Sequence, residues 1–388
     1  MKVAIIHEWL ESYAGSERVL EQLLACWPEA DLFAVCDFLP ESQRHFLGGR
    51  KVHTSFIQRL PFARKRFRWY LQLMPLAIEQ FDLAGYDLVV SSHHAVAKGV
   101  VTGPDQTHVS YIHSPMRYAW DMQAQYLRQA GMERGLRSVY TRWLLHRLRL
   151  WDRSSAAGVD AIIANSHYIA QRIKKAWRRE AQVIHPPVDL SGFPFRAEKS
   201  NDFLLVSRFV PYKRVDLVVR AFRGMPQHRL VVVGDGPEAA AVREAAGDAP
   251  NIALLGAQPQ EALVTLMQQA RAFVFAAEED FGIAMVEAQS CGTPVIAFGR
   301  GGARDIVRTP DMARPTGLLF PEQSVESIQA AVADFIALHP GITPEDCRQN
   351  AQRFDRRHFR TAMLAAAKDA MASQQSMPLP ARPRAEAA

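Results

Sequence analysis

The sequence predicts an α/β protein of two domains, each built on a parallel, doubly wound sheet. Three observations carry that expectation. At 388 residues the chain is too long for one ordinary core. Short apolar runs such as 272–276 and 295–298 alternate with helical stretches, which is how strands buried on both faces of a parallel sheet read. Residues 183–189 read VIHPPVD, and a double proline continues neither a helix nor a central strand, so an interdomain link is expected there, ending near Pro194. The expected domains are therefore 1–185 and 195–345.

In the first half, strands are expected at 2–7, 31–36, 86–91, 108–113 and 161–165, with helices between them. The carboxyl edge of such a sheet would carry His7, Ser92, His93, His113 and Asn165, and ligands of open α/β sheets bind along that edge. Gly15 stands between the first strand's loop and a helix expected over 17–26. A glycine there either lets backbone approach a ligand or simply makes the turn. His113 opens the run HSPMRYAWD, where Pro115 fixes the turn. A histidine at that place can hydrogen-bond a sugar hydroxyl, or it can be structural. Arg117, Tyr118, Trp120 and Asp121 have the side chains that suit sugar rings, although aromatics after a strand also serve as core.

In the second half, strands are expected at 203–206, 229–233, 252–255, 272–276, 295–298 and 316–321. Arg208 and Lys213 fall on the loop after the first of these. Two fixed cations at a sheet edge can neutralise a diphosphate without a metal, or they can be a solvated pair. The stretch 271–298 supplies a strand, the acids Glu278, Glu279 and Asp280, then Phe281-Gly282, a helix stopped at Gly292 and Pro294, and another strand. Amides of Gly282, Ile283 and Ala284 at the helix start would favour an anion. Glu287 lies one turn inside, on the face of Ile283. A phosphate there would be flanked by Glu279 and Glu287, and carboxylates bind sugar hydroxyls well. Glu278 and Asp280 are expected only to complement the helix dipole.

The pattern Glu279-x7-Glu287, with Phe281-Gly282 between and Gly292-x-Pro294-Val295 after, resembles the retaining GT-B glycosyltransferases of the glycogen-synthase and mannosyltransferase kind, family four, over about residues 1–370. That resemblance implies two Rossmann-like domains facing each other across a cleft. It gives the Arg208-x4-Lys213 pair a catalytic role on the leaving diphosphate, makes Glu279 a sugar ligand and Glu287 a ribose ligand, and implies that the 256–260 region cradles the base from Gly256. It also implies a closing helix, 346–372 within a helical stretch 344–372, that crosses back to the first domain. The HSPMRYAWD run resembles bacterial O-antigen and exopolysaccharide mannosyltransferases. It implies His113 beside the sugar, GDP-mannose as donor and a lipid-linked polysaccharide precursor as acceptor. No Asp-x-Asp is present, so no metal or other cofactor is expected. A nucleotide-sugar epimerase of the same architecture, or a non-catalytic protein docking through its basic half, remain the alternatives.

Composition bounds the setting. Apolar residues make up 48% and charged residues 22%, as in a soluble globular protein. No apolar run is long enough to span a membrane, and Glu8 interrupts any leader-like start, so a cytoplasmic location is expected. Cys26, Cys36, Cys291 and Cys347 have no metal or redox spacing and are expected reduced. Residues 1–190 hold 24 lysines and arginines against 18 acids, whereas 191–388 hold 22 of each. The surplus concentrates in 59–81 and 134–153, where arginines interleave with Trp, Phe and Tyr. An anionic membrane surface is the expected partner, a solvated face and nucleic acid being the other readings of such stretches. Nucleic acid is not expected. The tail 373–388 is expected to be disordered.

Overall fold

The computed structural model describes residues 1–338 and 341–375. Among them two parallel sheets are formed. The first holds β1 (Val3–His7), β2 (Asp31–Ala34), β3 (Val52–Thr54), β4 (Leu88–His93), β5 (Thr107–Ile112), β6 (Ala161–Ala164) and β7 (Gln182–Val183), in the order β3-β2-β1-β4-β5-β6-β7. The second holds β8 (Phe203–Val206), β9 (Leu230–Val233), β10 (Ile252–Gly256), β11 (Ala272–Phe275), β12 (Val295–Phe298) and β13 (Gly317–Phe320), in the order β10-β9-β8-β11-β12-β13. Each order runs outward in both directions from one strand, so each sheet has one switch point, between β1 and β4 and between β8 and β11. These are the two Rossmann-like domains of the GT-B fold.

The apolar runs make central strands because both faces are covered. In the second sheet Phe203 and Leu205 enter one hydrophobic cluster while Leu204 and Val206 pack on the other; Ile296 and Val295 divide in the same way. Period-2 alternation therefore feeds two cores, and no polar face interrupts the run.

The chain forms two compact units. The first comprises Met1–Ala164, Ala170–Ile184 and the chain from Arg360; the second comprises Asn165–Ile169 and His185–Phe359. Several expectations shift. The strand expected at 86–91 begins at Leu88, because Tyr86 closes a turn onto Leu83 and Asp87 bonds Lys2. Short edge strands β3 and β7 were not expected. The single closing helix expected over 344–372 is two, Pro344–Ala351 and Arg356–Gln375. It breaks because Phe354 and Asp355 are drawn out to pair with Val188: the Val188 amide donates to the Phe354 carbonyl at 2.9 Å. Only the second piece runs into the first unit. Residues 373–375 continue that helix rather than starting a tail; residues 376–388 lie outside the described residues.

Candidate functional site

The second unit places the loop after β8, residues 207–213, beside the loop after β11, residues 276–282, at the switch point. Lys213 Nζ lies 2.5 Å from Glu279 Oε1, and both side chains are only partly exposed, at 15% and 16%. The ammonium also stands 5.2 Å from the Phe275 ring centre and 5.4 Å from that of Tyr212, within cation–π range. One ion pair thus bridges the two strands whose helices leave on opposite sides.

Glycines let the neighbouring loops close on this pair. A Cβ at Gly234 would sit 1.8 Å from the Ser207 carbonyl oxygen, and one at Gly301 would sit 2.1 Å from that of Glu279. The Phe209 amide donates to Asp235 at 2.9 Å, the Glu238 amide to Phe209 at 3.0 Å, and the Gly302 amide to Glu279 at 2.8 Å. Backbone contacts this close cannot accommodate a side chain, so the loops are braced from both flanks. Arg208 is on the same loop as Lys213, exposed, and makes no ion pair among the described residues.

Gly282, with φ 103°, caps the helix Ile283–Ser290. Ile283 and Ala284 are half-buried at its first turn, where amides have no intrahelical partner, and Glu287 is buried one turn on. The ring of Phe281 is not turned to a ligand: it is buried, stacked on His185 at 5.5 Å and edge-on to Phe354 at 5.4 Å. Phe281 can offer a ligand only its backbone. Glu278 does more than complement a dipole. It accepts from Tyr168 Oη at 2.6 Å and lies 3.9 Å from Arg300 Nε. Gly256, in the left-handed region at φ 68°, ends the outermost strand β10, with open space around it.

The remaining candidates belong to the first unit. Gly15 is the exposed first residue of the helix Gly15–Cys26, not a loop residue before it. His113 is half-buried and shares a 2.9 Å hydrogen bond with Ser92 Oγ. Burial, with His94 and His7 nearby, pushes its pKa down to about 3, so the ring is neutral at ordinary pH. Arg117 and Tyr118 are half-buried, and Tyr118 packs against the core. Trp120 is turned inward as well, its indole N–H donating to Asp152 at 2.7 Å.

That bond belongs to a buried charge network the sequence reading missed. Lys98 Nζ lies 2.9 Å from Asp152 Oδ1, both fully buried, and Trp177 donates to the other Asp152 oxygen at 2.8 Å. Glu8, read only as an interruption of an apolar start, is wholly buried at the β1/β4 switch. Its carboxylate accepts from the amides of His94, Ala95, Val96 and Ala97 at 2.6–3.0 Å. Although burial opposes the charge, His93, His94 and those amides hold its carboxyl well below the usual range.

The two basic stretches meet in the first unit, where Tyr140 Oη donates to Gln72 Oε1 at 2.8 Å. Around that contact Trp69, Leu76, Val139, Tyr140 and Trp143 are exposed, and the Arg66 guanidinium lies 4.1 Å from the centre of the Trp69 ring. No described helix is long and apolar enough to cross a membrane. One group of described side chains, His167, His185 and Asp305, has the donor set of a metal site.

Comparison with known proteins matches residues 13–191 to Glycosyltransferase Family 4 and residues 191–354 to Glycosyl transferases group 1. A D-inositol 3-phosphate glycosyltransferase of Mycobacteroides abscessus is 31% identical over 201 residues, 46% of this chain and 44% of that protein. The chain thus matches less than half the length of that relative. Among solved structures, Anabaena HepE in complex with UDP aligns with 95% of this chain and 100% of its own at a TM-score of 0.67 and 18% identity. Sucrose-phosphate synthase from Thermosynechococcus elongatus covers 96% of this chain and 100% of its own at a TM-score of 0.69, also at 18% identity. Two successive glycosyltransferase matches thus account for residues 13–354, and both parallel sheets have the GT-B fold of the solved structures they align with.

Proposed function

We propose that the chain transfers a hexosyl group from a nucleotide sugar to a saccharide acceptor, with retention and without a metal at the reacting centre. The observation that carries this reading is the Lys213–Glu279 pair at the β8/β11 switch. With no ligand bound, the cation and the carboxylate neutralise each other. An arriving diphosphate would compete for Lys213 and release Glu279 to the sugar hydroxyls. Arg208, exposed on the same loop, would take a second phosphate oxygen, and the amides at the start of the helix Ile283–Ser290 a third. As the glycosidic bond breaks, negative charge grows on the leaving phosphate, and these preorganised donors are worth most at that moment. Glu287 would hold the ribose and the backbone at Gly256 the base. The leaving phosphate would itself take the acceptor proton, so no general base is required. His113, neutral, would serve as a hydrogen-bonding group and not as an acid.

The preferred donor is GDP-mannose, on the HSPMRYAWD run, and the preferred acceptor a lipid-linked polysaccharide precursor. A UDP-sugar is the second donor reading, favoured by the Anabaena neighbour, which was crystallised with UDP and with UDP-glucose. Melting curves with a panel of nucleotide sugars test both, since a ligand of the folded state raises the midpoint. The reading predicts stabilisation by one donor class that is lost in Glu279→Ala. No stabilisation by any member of the panel would overturn it.

The exposed aromatics and arginines around Trp69 and Trp143 suit the headgroup layer of an anionic membrane, and we propose peripheral attachment there at the inner leaflet. Sedimentation with phosphatidylglycerol vesicles should fall at least about fivefold in the double variant Trp69→Ala, Trp143→Ala. Equal sedimentation would remove this surface from the account.

A further inference from the structure

Away from the ion pair, the second unit gathers three metal-ligating side chains from remote stretches. They are His167 at the start of the helix His167–Trp177, His185 beyond β7, and Asp305 in the short helix Ala303–Ile306. One donor atom of each lies within 4.8 Å of the others. The two least exposed are already aimed. His185 Nδ1 meets the Asn165 carbonyl oxygen at 3.2 Å, which fixes the tautomer with Nε2 bare. Its ring is set by Phe281 at 5.5 Å and Phe354 at 5.2 Å. Asp305 Oδ2 accepts from the His167 amide at 2.8 Å, leaving Oδ1 to face His167 Nδ1 at 3.0 Å. A ring N–H given to a backbone carbonyl is the usual outer contact of a metal-bound histidine.

We propose that His167, His185 and Asp305 bind one divalent transition-metal ion, with Zn2+ the best match to the two-nitrogen, one-oxygen donor set. Zinc bonds of about 2.0–2.2 Å place tetrahedral ligand atoms about 3.3 Å apart. The His167–Asp305 separation is already close to that, and the proton shared by those two atoms stands where the metal would replace it. The His167 side chain is 71% exposed and free to turn toward His185. Arg353 is the opposing charge near Asp305 and His185; it donates to Asn350 Oδ1 at 2.9 Å and weakens the site without filling it.

The ion is distinct from the proposed diphosphate clamp, since it uses none of Arg208, Lys213 and Glu279. Its effect is on the loop beneath them. Asp305 follows Gly301 and Gly302, which are joined to Glu279, and His185 carries Phe281. Ser166, next to His167, donates to the Asp280 carbonyl at 2.5 Å. The metal would therefore lock the 278–282 loop from behind.

The test uses the full chain without a histidine tag, stripped with chelator and titrated with Zn2+ by equilibrium dialysis, with Co2+ absorption as a geometric readout. The expected result is one Zn2+ per chain and the intense visible bands of four-coordinate Co2+. Affinity should fall at least about tenfold in His167→Gln and in His185→Phe, the latter keeping the ring contacts. His167→Gln, at an exposed position, should leave the metal-free melting midpoint unmoved. Sub-stoichiometric uptake by the wild type, or variants that bind Zn2+ as the wild type does, would overturn the proposal.

Discussion

The two sheets are built to one plan and end differently at their switch points. At β1/β4 the backbone amides of residues 94–97 converge as they would on a bound anion, but the anion is the chain's own Glu8. Beneath it lie His93, Asp152 and Lys98, all fully buried. At β8/β11 the Lys213–Glu279 pair is instead reachable by solvent and flanked by glycine turns. The same topology can thus be closed by an internal carboxylate or left open for a ligand. What decides is whether an acid sits just after the first strand: Glu8 follows β1 directly, whereas Ser207 follows β8.

The comparison can be broken at the closed end first. Glu8→Gln would turn an amide NH2 against four converging N–H groups and remove the buried charge they stabilise. It should cost about 3–5 kcal/mol of stability, read by urea denaturation, with the loss confined to the first unit. A cost below about 1 kcal/mol would mean that the carboxylate is not what closes this sheet.

At the open end the opposite is expected. Lys213→Ala should leave stability nearly unchanged but lower kcat by about 10²–10³-fold, the scale of losing one preorganised transition-state donor. Near-normal turnover, measured with whichever donor the panel selects, would remove the diphosphate clamp.

Acid should sharpen the difference in a smaller, graded way. In the first unit burial lowers His94 to about 4 and His108 and His113 to about 3, and it lowers His93 as well. Unfolded, these rings take up protons near pH 6.5, so stability is complete above that pH and falls as pH drops toward 3–4. In the second unit burial lowers His185 and His228. Hydrogen exchange between pH 7 and 5 should therefore show the first unit loosening before the second. The reverse order would contradict the assignment of buried neutral histidines to the β1/β4 end.

The sheets were legible because strands covered on both faces leave unbroken apolar runs, as at 203–206 and 295–298. Edge strands β3 and β7 were not, being two or three residues long with His53, Thr54 and Gln182 among them. The break in the closing helix carried one readable sign. Asp355 accepts from the Arg357 amide at 2.9 Å, the contact of a helix-starting aspartate, but no glycine or proline marks the stop before it. The place of Lys213 and Glu279 on the loops after β8 and β11 could be read because loops after buried strands are few and charges on them stand out. Glu8, Lys98 and Asp152 could not, since nothing local distinguishes a charge paired across more than fifty residues from one in water. Trp120 misleads for the converse reason: an aromatic beside a ligand loop looks the same whether it faces the ligand or the core.

The segment 360–375 carries a consequence for biosynthesis. It belongs with residues 1–164 and 170–184, burying Met363, Ala366 and Ala367 and tying Gln374 to the carbonyls of Pro104 and Gln106 at 2.8 and 3.0 Å. Yet it leaves the ribosome after every residue of the other unit. The half translated first is therefore completed last, and its apolar seat for that helix stays bare until residues 360–375 have emerged.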